Sequence, residues 1–134
     1  MDWKLEVVVV PVSDVDRAKR FYSEQVGFVV DVDHRPNEQF RVVQMTPPGS
    51  ACSITIGTGL PSMPPGSLKG LQLVVPDIEA ARAELTERGV AVSPVQHFED
   101  GVAVDGRGEA WNSFIFFSDP DGNAWAVQEV PARD

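Results

Sequence analysis

The alternation of apolar and polar residues divides the chain into two similar series of elements. Residues 5–12 are apolar and largely β-branched, which predicts a buried strand. Ser13 and Asp14 are helix N-cap types, and the apolar residues that follow recur on one helical face until Gly27, a residue typical of a helix C-terminus. Three more strands are predicted at residues 28–33, 40–45 and 52–56. The first half is therefore predicted as β-α-β-β-β.

The second half repeats this order. A predicted strand at residues 68–75 leads to the N-cap Asp77 and to a helix that ends at Gly89. Further strands are predicted at residues 90–97, 111–117 and 124–130, with a polar loop at residues 98–109 between the first two. The segment Asp119-Pro120-Asp121-Gly122 predicts a tight turn before the last strand, because proline presets φ and glycine accepts a positive φ.

Two short segments indicate that the halves are related. Val12-Ser13-Asp14-Val15 and Val75-Pro76-Asp77-Ile78 occupy the same place in each series, 63 positions apart. Modules of about 60 residues bury too little surface to be stable alone, so we expect a single domain over residues 1–134 with a shared core. Its parts are module one at residues 4–57, a linker rich in proline and glycine at 58–67, and module two at 68–130. A cleft is expected where the modules meet.

Charge and composition exclude several classes of partner. The 134 residues carry a net charge of −9, which argues against binding nucleic acid or anionic membranes and favours solubility and cationic small molecules. Cys52 is the single cysteine, so the chain cannot form an internal disulfide. Residues 1–6 lack the apolar segment of a signal peptide. These features predict a cytoplasmic protein.

Several motifs, taken in order along the chain, resemble one known family. They are the segment from Val12 to Ala18 with Phe21-Tyr22, then Val26-Gly27-Phe28, then Val75-Pro76-Asp77-Ile78, then Asp119-Pro120-Asp121-Gly122-Asn123. Together with the duplication they resemble the vicinal oxygen chelate superfamily of glyoxalase I, bleomycin-resistance proteins and extradiol dioxygenases. The resemblance implies an α+β fold in which two tandem βαβββ modules form an open, curved, eight-stranded half-barrel with a concave ligand cleft. It also implies a homodimer, which would cover exposed sheet edges.

Metal-dependent members of this superfamily hold a divalent ion with side chains from four strand positions. Carried over by motif spacing, these positions are Val7, Gly70, Ala126 and Thr55 or Ile56. None of these side chains is an imidazole or a carboxylate, the ligands that such ions need. A shift of one or two residues would bring in Glu6, Gln72 and Gln128, although a one-residue shift turns Glu6 to the other strand face. We therefore predict no metal and no cofactor.

Aromatic residues crowd the last two predicted strands, where flat side chains suit the walls of an apolar pocket or the core. By alternation, one face of the first of these strands carries Trp111, Ser113, Ile115 and Phe117, and one face of the last carries Ala124, Ala126 and Gln128. Small residues beside large flat ones leave room for a ligand. Trp111, Ser113 and Gln128 are therefore candidate ligand-binding residues.

The first module offers three polar candidates. Thr55 is predicted to supply a hydroxyl to the ligand from the strand where metal-dependent relatives place a carboxylate. Arg41 and Gln44 lie on opposite faces of one strand, so one of the two is expected to reach the cleft. The pattern does not decide which.

His97 is the candidate acid or base, because it precedes the long polar loop and an imidazole titrates near neutral pH. A structural or surface histidine is the alternative. Cys52 has no basic neighbour in the sequence that would activate a thiolate, so we expect an inert thiol.

Three functions fit these features. The first is a metal-free protein that sequesters a small aromatic or cationic molecule, as the drug-resistance members of the resembling family do. The second is an enzyme of the same superfamily with isomerase, lyase or hydrolase chemistry, using His97 or a recruited metal ion. The third is a subunit without a small ligand. Since a fold does not fix a reaction, the sequence leaves the ligand unnamed.

Overall fold

The computed structural model describes residues 1–131, and the last three residues of the predicted domain, 132–134, lie outside the described part. The described chain divides into two compact units. Unit one holds residues 1–68 and 119–123, and unit two holds residues 69–118 and 124–131. Each unit contains one sheet, and neither sheet closes on itself. The predicted α+β class is confirmed.

Unit one has a four-stranded sheet in the order β1-β4-β3-β2. Its strands are β1 (Val7–Val9), β2 (Val29–Asn37), β3 (Phe40–Thr46) and β4 (Ser53–Thr58). β1 runs parallel to β4, and the other pairs are antiparallel. The strand predicted at residues 5–12 is thus only three residues long.

The helix of unit one begins where the sequence predicts and then changes its geometry. Asp14 caps α1 (Val15–Arg20), and its side chain accepts a hydrogen bond from the Arg17 amide at 3.0 Å. A π-helical segment (Phe21–Val26) follows and ends at Gly27, whose φ of 96° few residues other than glycine adopt. The wider turn places Phe21 and Tyr22 in the core, where both are buried.

The segment at residues 119–123 belongs to unit one although it joins two strands of unit two. The buried Asp119 carboxylate accepts hydrogen bonds from the Tyr22 hydroxyl and the Asn123 side-chain amide, both at 2.7 Å. Asn123 also donates to the Pro11 carbonyl at 2.8 Å, and the Ser13 hydroxyl donates to Asp121 at 2.5 Å. The predicted turn is therefore fixed by buried polar contacts.

Unit two has a five-stranded sheet in the order β5-β9-β8-β6-β7. Its strands are β5 (Leu71–Val75), β6 (Gln96–Glu99), β7 (Val102–Asp105), β8 (Phe114–Ser118) and β9 (Ala124–Glu129). β5 runs parallel to β9, and the other pairs are antiparallel. Asp77 caps α2 (Ile78–Glu87), which packs against β8 and β9.

Three predictions for unit two were wrong. The predicted loop at residues 98–109 contains most of the β6–β7 hairpin, so the described chain has nine strands rather than eight. Only the last two residues of the strand predicted at 90–97 lie in β6. The strand predicted at 111–117 begins three residues later, because Trp111 has a φ of 69°, which a strand cannot contain.

Candidate functional site

β8 separates four consecutive apolar residues onto two faces of the sheet. Ile115 and Phe117 are buried on the side that α2 covers, and Phe117 stacks on Trp125 with ring centroids 5.9 Å apart. Phe114 and Phe116 point to the other side and are half-buried. The same strand therefore supplies the core on one face and exposed aromatic surface on the other.

The side of the sheet turned away from α2 carries a cluster of three phenylalanines. The Phe114 and Phe116 rings stack with centroids 6.1 Å apart and planes 7° from parallel. Phe98 of β6 meets the Phe114 ring edge-on, with centroids 5.3 Å apart, and is 40% exposed. Aromatic rings gain by this offset and edge-on packing, which holds the cluster in place without burying it.

β9 and β5 extend this surface. Residues directly opposed across paired strands share a face, so Phe116 lies beside Ala126, and Ala126 lies beside Gln72. In the next row, Phe114 lies beside Gln128. We call this surface the aromatic face; it consists of Gln72, Phe98, Phe114, Phe116, Ala126 and Gln128. Because alanine carries only a methyl group, Ala126 leaves a shallow place between the larger side chains of Gln72 and Phe116.

Two residues of the aromatic face, Gln72 and Gln128, form a chain of amides that ends at Trp111. Gln72 Nε2 donates to Gln128 Oε1 at 2.7 Å, and Gln128 Nε2 donates to the Trp111 carbonyl at 2.7 Å. The structure thus brings together two predicted site residues, Gln128 and Trp111. Trp111 takes part through its backbone, while its side chain is 49% exposed in a turn.

Ser113 has a different place from the one that strand alternation predicts for a ligand contact. It precedes β8, is 2% exposed, and accepts a hydrogen bond from the Gly108 amide through its hydroxyl at 3.1 Å. It therefore anchors the segment before Trp111.

His97 lies on β6 next to Phe98, so its side chain points away from the aromatic face. Its Nδ1 is 2.8 Å from the Gly106 carbonyl oxygen and its Nε2 is 2.9 Å from Glu99 Oε1. Both partners are acceptors, and both hydrogen bonds form fully only with the doubly protonated ring. The hydrogen bond to Glu99, then that to Gly106, raises the pKa of His97. This imidazole is therefore held by two contacts of its own hairpin.

A polar cavity of about 410 Å³ lies beside His97 and is lined by Glu99, Arg107, Glu109 and Asn112, among others. Arg107 pairs with both carboxylate oxygens of Glu129, with one of the two contacts at 3.1 Å. This pairing raises the pKa of Arg107 and lowers that of Glu129, which also accepts from the Ile78 amide at the start of α2. His97 and Arg107, which both line this cavity, thus each contact a carboxylate.

Arg41 of unit one lies on the side of its sheet that faces α1. It shares that side of β3 with the buried Val43, and its guanidinium contacts Asp16 at 2.7 Å and Asp33 at 2.9 Å. Lys19 also reaches Asp33 at 2.7 Å. The hydrogen bond from Arg41 lowers the pKa of Asp16, and the hydrogen bonds from Arg41 and then Lys19 lower the pKa of Asp33. The same two carboxylates raise the pKa of Arg41. We call Arg41, Asp16, Asp33 and Lys19 the ion cluster.

Gln44 lies on the opposite face of β3, turned away from α1. It is paired with Thr55 of β4, and Thr55 is in turn paired with Val9 of β1. Thr55 is only 8% exposed. Gln44 therefore shares a face of the sheet with Thr55, whereas Arg41 lies on the other face.

The positions that correspond to metal ligands in the resembling family do not fit a divalent ion. Val7, Gly70 and Ala126 carry no lone pair on their side chains, and Thr55 offers a neutral hydroxyl. Gln72 and Gln128 bond to each other. Within residues 1–131 the structure places no group of three or more His, Cys, Asp and Glu side chains suitably for a metal ion.

Sequence reasoning missed the aromatic face as a unit. The sequence pattern places Phe98 in a predicted loop, includes Phe114 and Phe116 only among the aromatic residues of the last two strands, and offers Gln72 only as an alternative metal ligand. The available signal was the alternation of β8, whose second face also carries two phenylalanines.

Known proteins resemble this chain over nearly its whole length. The model of the glyoxalase/bleomycin resistance protein/dioxygenase superfamily matches residues 4–127. Among solved structures, TnmS3, an antibiotic binding protein from Streptomyces sp. CB03234, is 39% identical with a TM-score of 0.76, and the match covers 98% of each chain. A glyoxalase/bleomycin resistance protein from the same source is 40% identical with a TM-score of 0.72, covering 93% of this chain and 99% of that one.

A third solved structure comes from another organism. It is a member of the same superfamily from Sphaerobacter thermophilus DSM 20745, 30% identical with a TM-score of 0.71, and the match covers 96% of this chain and 98% of that one. The motifs, the fold and these matches agree, and this chain belongs to the glyoxalase/bleomycin resistance protein/dioxygenase superfamily.

Proposed function

We propose that the protein sequesters a small, planar, partly aromatic molecule on the aromatic face without transforming it. The observation that carries this proposal is the pair of stacked, half-buried rings of Phe114 and Phe116 beside Ala126. Water-exposed aromatic area next to a small residue is the kind of surface on which a flat apolar molecule gains most by stacking.

Sequence relatives support binding as the function. A protein 39% identical to this chain over 98% of its length is an antibiotic binding protein. The negative net charge would further favour ligands that carry a positive charge.

Binding is favoured over acid–base catalysis by the state of His97. Both of its ring nitrogens have partners within the β6–β7 hairpin, and its side chain is only 15% exposed. A general base needs a nitrogen that can reach the substrate. Breaking the contact to Glu99 would be the first step of any such reaction.

The earlier candidates enter this proposal in different ways. Gln128 belongs to the aromatic face and bonds to the Trp111 carbonyl, and Ser113 anchors the segment before Trp111. Gln44 and Thr55 are offered as a second set of polar contacts on unit one. Arg41 is proposed to act through the ion cluster rather than on a ligand. We also propose that the protein is a cytoplasmic homodimer. No helix among the described residues is long and apolar enough to cross a bilayer.

A thermal-shift screen tests the proposal with planar aromatic compounds and saturated analogues of the same size. A ligand at a hundred times its Kd adds about 2.7 kcal/mol to the free energy of unfolding, which raises the melting temperature measurably. We expect aromatic compounds to stabilise the wild type and Phe116→Ala to weaken their binding about tenfold or more. Phe40→Ala is the matched control, because Phe40 is a 36% exposed phenylalanine in the β2–β3 hairpin of unit one. Equal binding by the wild type and Phe116→Ala would place the ligand elsewhere.

A further inference from the structure

The direction of the hydrogen bonds along Gln72, Gln128 and Trp111 is fixed by chemistry. A backbone carbonyl can only accept, so the Gln128 group next to the Trp111 oxygen must be its NH₂. The Gln128 carbonyl oxygen then faces Gln72, which must present its own NH₂ to it. The chain of amides therefore ends with the Gln72 carbonyl oxygen as its outer acceptor.

The outer end of this chain lies at the edge of the aromatic face. Gln72 is exposed and lies across Ala126 from Phe116, with all three in one row of the sheet. Neighbouring strands are about 4.8 Å apart, so the strands of Gln72 and Phe116 are separated by about 10 Å. A flat ring that stacks near Phe116 above Ala126 would bring its edge towards the Gln72 oxygen.

We propose that Gln72 determines specificity by selecting aromatic ligands that carry an N–H or O–H donor on the ring edge, such as aryl amines, phenols and indoles. This inference rests on the proposed function, since it needs a ligand on the aromatic face. Its content is the polarity of the contact: the protein supplies an oriented acceptor, and the ligand supplies the proton. Ring systems without an N–H or O–H donor gain the stacking but cannot use the Gln72 carbonyl oxygen.

The structure explains why the Gln72 amide does not simply turn its carbonyl oxygen away from the ligand. Turning its amide would place two carbonyl oxygens, those of Gln72 and Gln128, against each other, and Gln128 cannot turn while the Trp111 carbonyl needs its NH₂. The Trp111 carbonyl therefore fixes the orientation of the Gln128 amide, and the Gln128 amide in turn fixes that of the Gln72 amide.

Indole and 1-methylindole are a matched pair of probes, because they differ only in the replacement of one N–H donor by a methyl group. Two-dimensional ¹H–¹⁵N NMR titration gives a Kd for each probe and shows which amides respond. We expect indole to bind the wild type about threefold to tenfold more tightly, the value of one neutral hydrogen bond, with shifts centred on β5, β8 and β9. The extra methyl group of 1-methylindole adds apolar surface that favours its own binding, so a preference for indole is a stringent test.

One substitution of Gln72 and one control locate the preference. Gln72→Met keeps the length of the side chain without its acceptor and should bind both probes equally. Gln96→Met is the control, because Gln96 shares the face of Phe114 but bonds to Asp105 instead of to the amide chain; it should leave the preference unchanged.

The outcomes separate this inference from the proposed function. If both probes bind the aromatic face with equal affinity, and Phe116→Ala weakens both, ligand binding stands and the role of Gln72 is refuted. If indole is preferred and Gln72→Met keeps that preference, another acceptor is responsible and the inference is again refuted. If neither probe shifts the amides of β5, β8 and β9 up to its solubility limit, the binding face itself is wrong and both proposals fall together.

Discussion

Units one and two each bury apolar residues between a helix and a sheet of similar strand order, and unit one adds an ion cluster at that contact. In unit one the ion cluster joins α1 to β2 and β3, because Arg41 reaches both Asp16 and Asp33. In unit two the helix-covered side of the sheet is sealed by Ile115 and by the stacked pair Phe117 and Trp125. Charged contacts depend on pH and salt, whereas apolar burial depends on neither to the same degree.

The sides turned away from the helices differ as well. In unit one that side carries Gln44 and Thr55, together with hydroxyls such as the Thr46–Ser53 pair at 2.6 Å. In unit two it carries the aromatic face. The two units thus differ in what this side of the sheet carries, and the stacked rings of the aromatic face belong to unit two. The four predictions below test this contrast, from the largest expected effect to none.

Alanine substitutions of two adjacent residues of β8 should differ most in their effect on the free energy of unfolding. Phe117→Ala removes a ring that is 4% exposed and leaves a cavity beside Trp125, so we expect a loss of about 3–5 kcal/mol in the free energy of unfolding. Phe116→Ala should cost about 1–2 kcal/mol, because part of its surface is already in water. Urea unfolding followed by circular dichroism measures both. Equal losses would mean that the two sides of the sheet are buried alike.

The ion cluster should contribute less than the aromatic core and should depend on pH. Arg41→Met keeps the aliphatic part of the side chain and leaves Asp33 without its main partner, which should cost about 2 kcal/mol at neutral pH. Arg88→Met is the control, since the Arg88–Glu84 pair is exposed and 3.9 Å long, and it should change stability by about 0.5 kcal/mol or less.

The sign of the pH effect follows from the carboxylates. Arg41 holds the pKa of Asp33 below its ordinary value of 3.8, so the stabilisation is complete above that value and is lost as the pH falls through the lowered pKa. Unfolding free energies of the wild type and Arg41→Met should therefore converge as the pH is lowered below about 4. A constant difference from pH 7 to pH 3 would assign the effect of Arg41 to packing alone.

Local signals in the sequence located the helices well. Asp14 and Asp77 are the observed N-caps, and Gly27 and Gly89 follow the helices with positive φ. These positions depend on a few neighbouring residues, which a single sequence contains in full. The π-helical turn before Gly27 had no such signal, because it results from burying Phe21 and Tyr22 together.

The β6–β7 hairpin was missed although its turn is visible in the sequence. Asp100-Gly101 occupies the turn with φ values of 50° and 79°, the conformation for which an Asp-Gly pair is typical. The polar composition of the flanking strands concealed it, since Gln96 and Glu99 look like loop residues.

The aromatic face could be predicted only in part, because it depends on contacts between strands. Alternation within β8 separates Phe116 from Phe117, but it does not tell which of them lies beside Ala126. That pairing depends on the register of β8 and β9, which are joined by the turn at residues 119–123. The amide chain was equally hidden, since Gln72 and Gln128 are far apart in sequence and Trp111 contributes only its carbonyl.

His97 should make unit two weakly sensitive to pH in the opposite direction to unit one. Glu99, and then the Gly106 carbonyl, raises the pKa of His97 above its ordinary value of 6.5. The resulting stabilisation is complete below that value and is lost as the pH rises through the raised pKa. Arg107, whose own pKa is raised by its pairing with Glu129, also lines the cavity beside His97.

The measurement compares the melting temperature of the wild type with that of His97→Gln at pH 6 and pH 9. The wild type should lose a little more stability than the variant between the two values, and His34→Gln, which removes the exposed histidine of unit one, should behave like the wild type. NMR titration of the His97 ring gives its pKa directly. A value at or below 6.5 would contradict the role assigned to Glu99.

Metal ions should have no effect on either unit, which is the smallest effect we predict. Val7 of unit one and Gly70 and Ala126 of unit two occupy the positions at which the resembling family holds its ion, and none supplies a lone pair. A metal at a hundred times its Kd would add about 2.7 kcal/mol to the free energy of unfolding. We therefore expect the melting temperature to be the same with a chelator and with added Zn²⁺, Ni²⁺ or Mn²⁺. One equivalent of a tightly bound divalent ion in the wild-type protein, with a raised melting temperature, would show that other side chains have taken over the missing ligand positions.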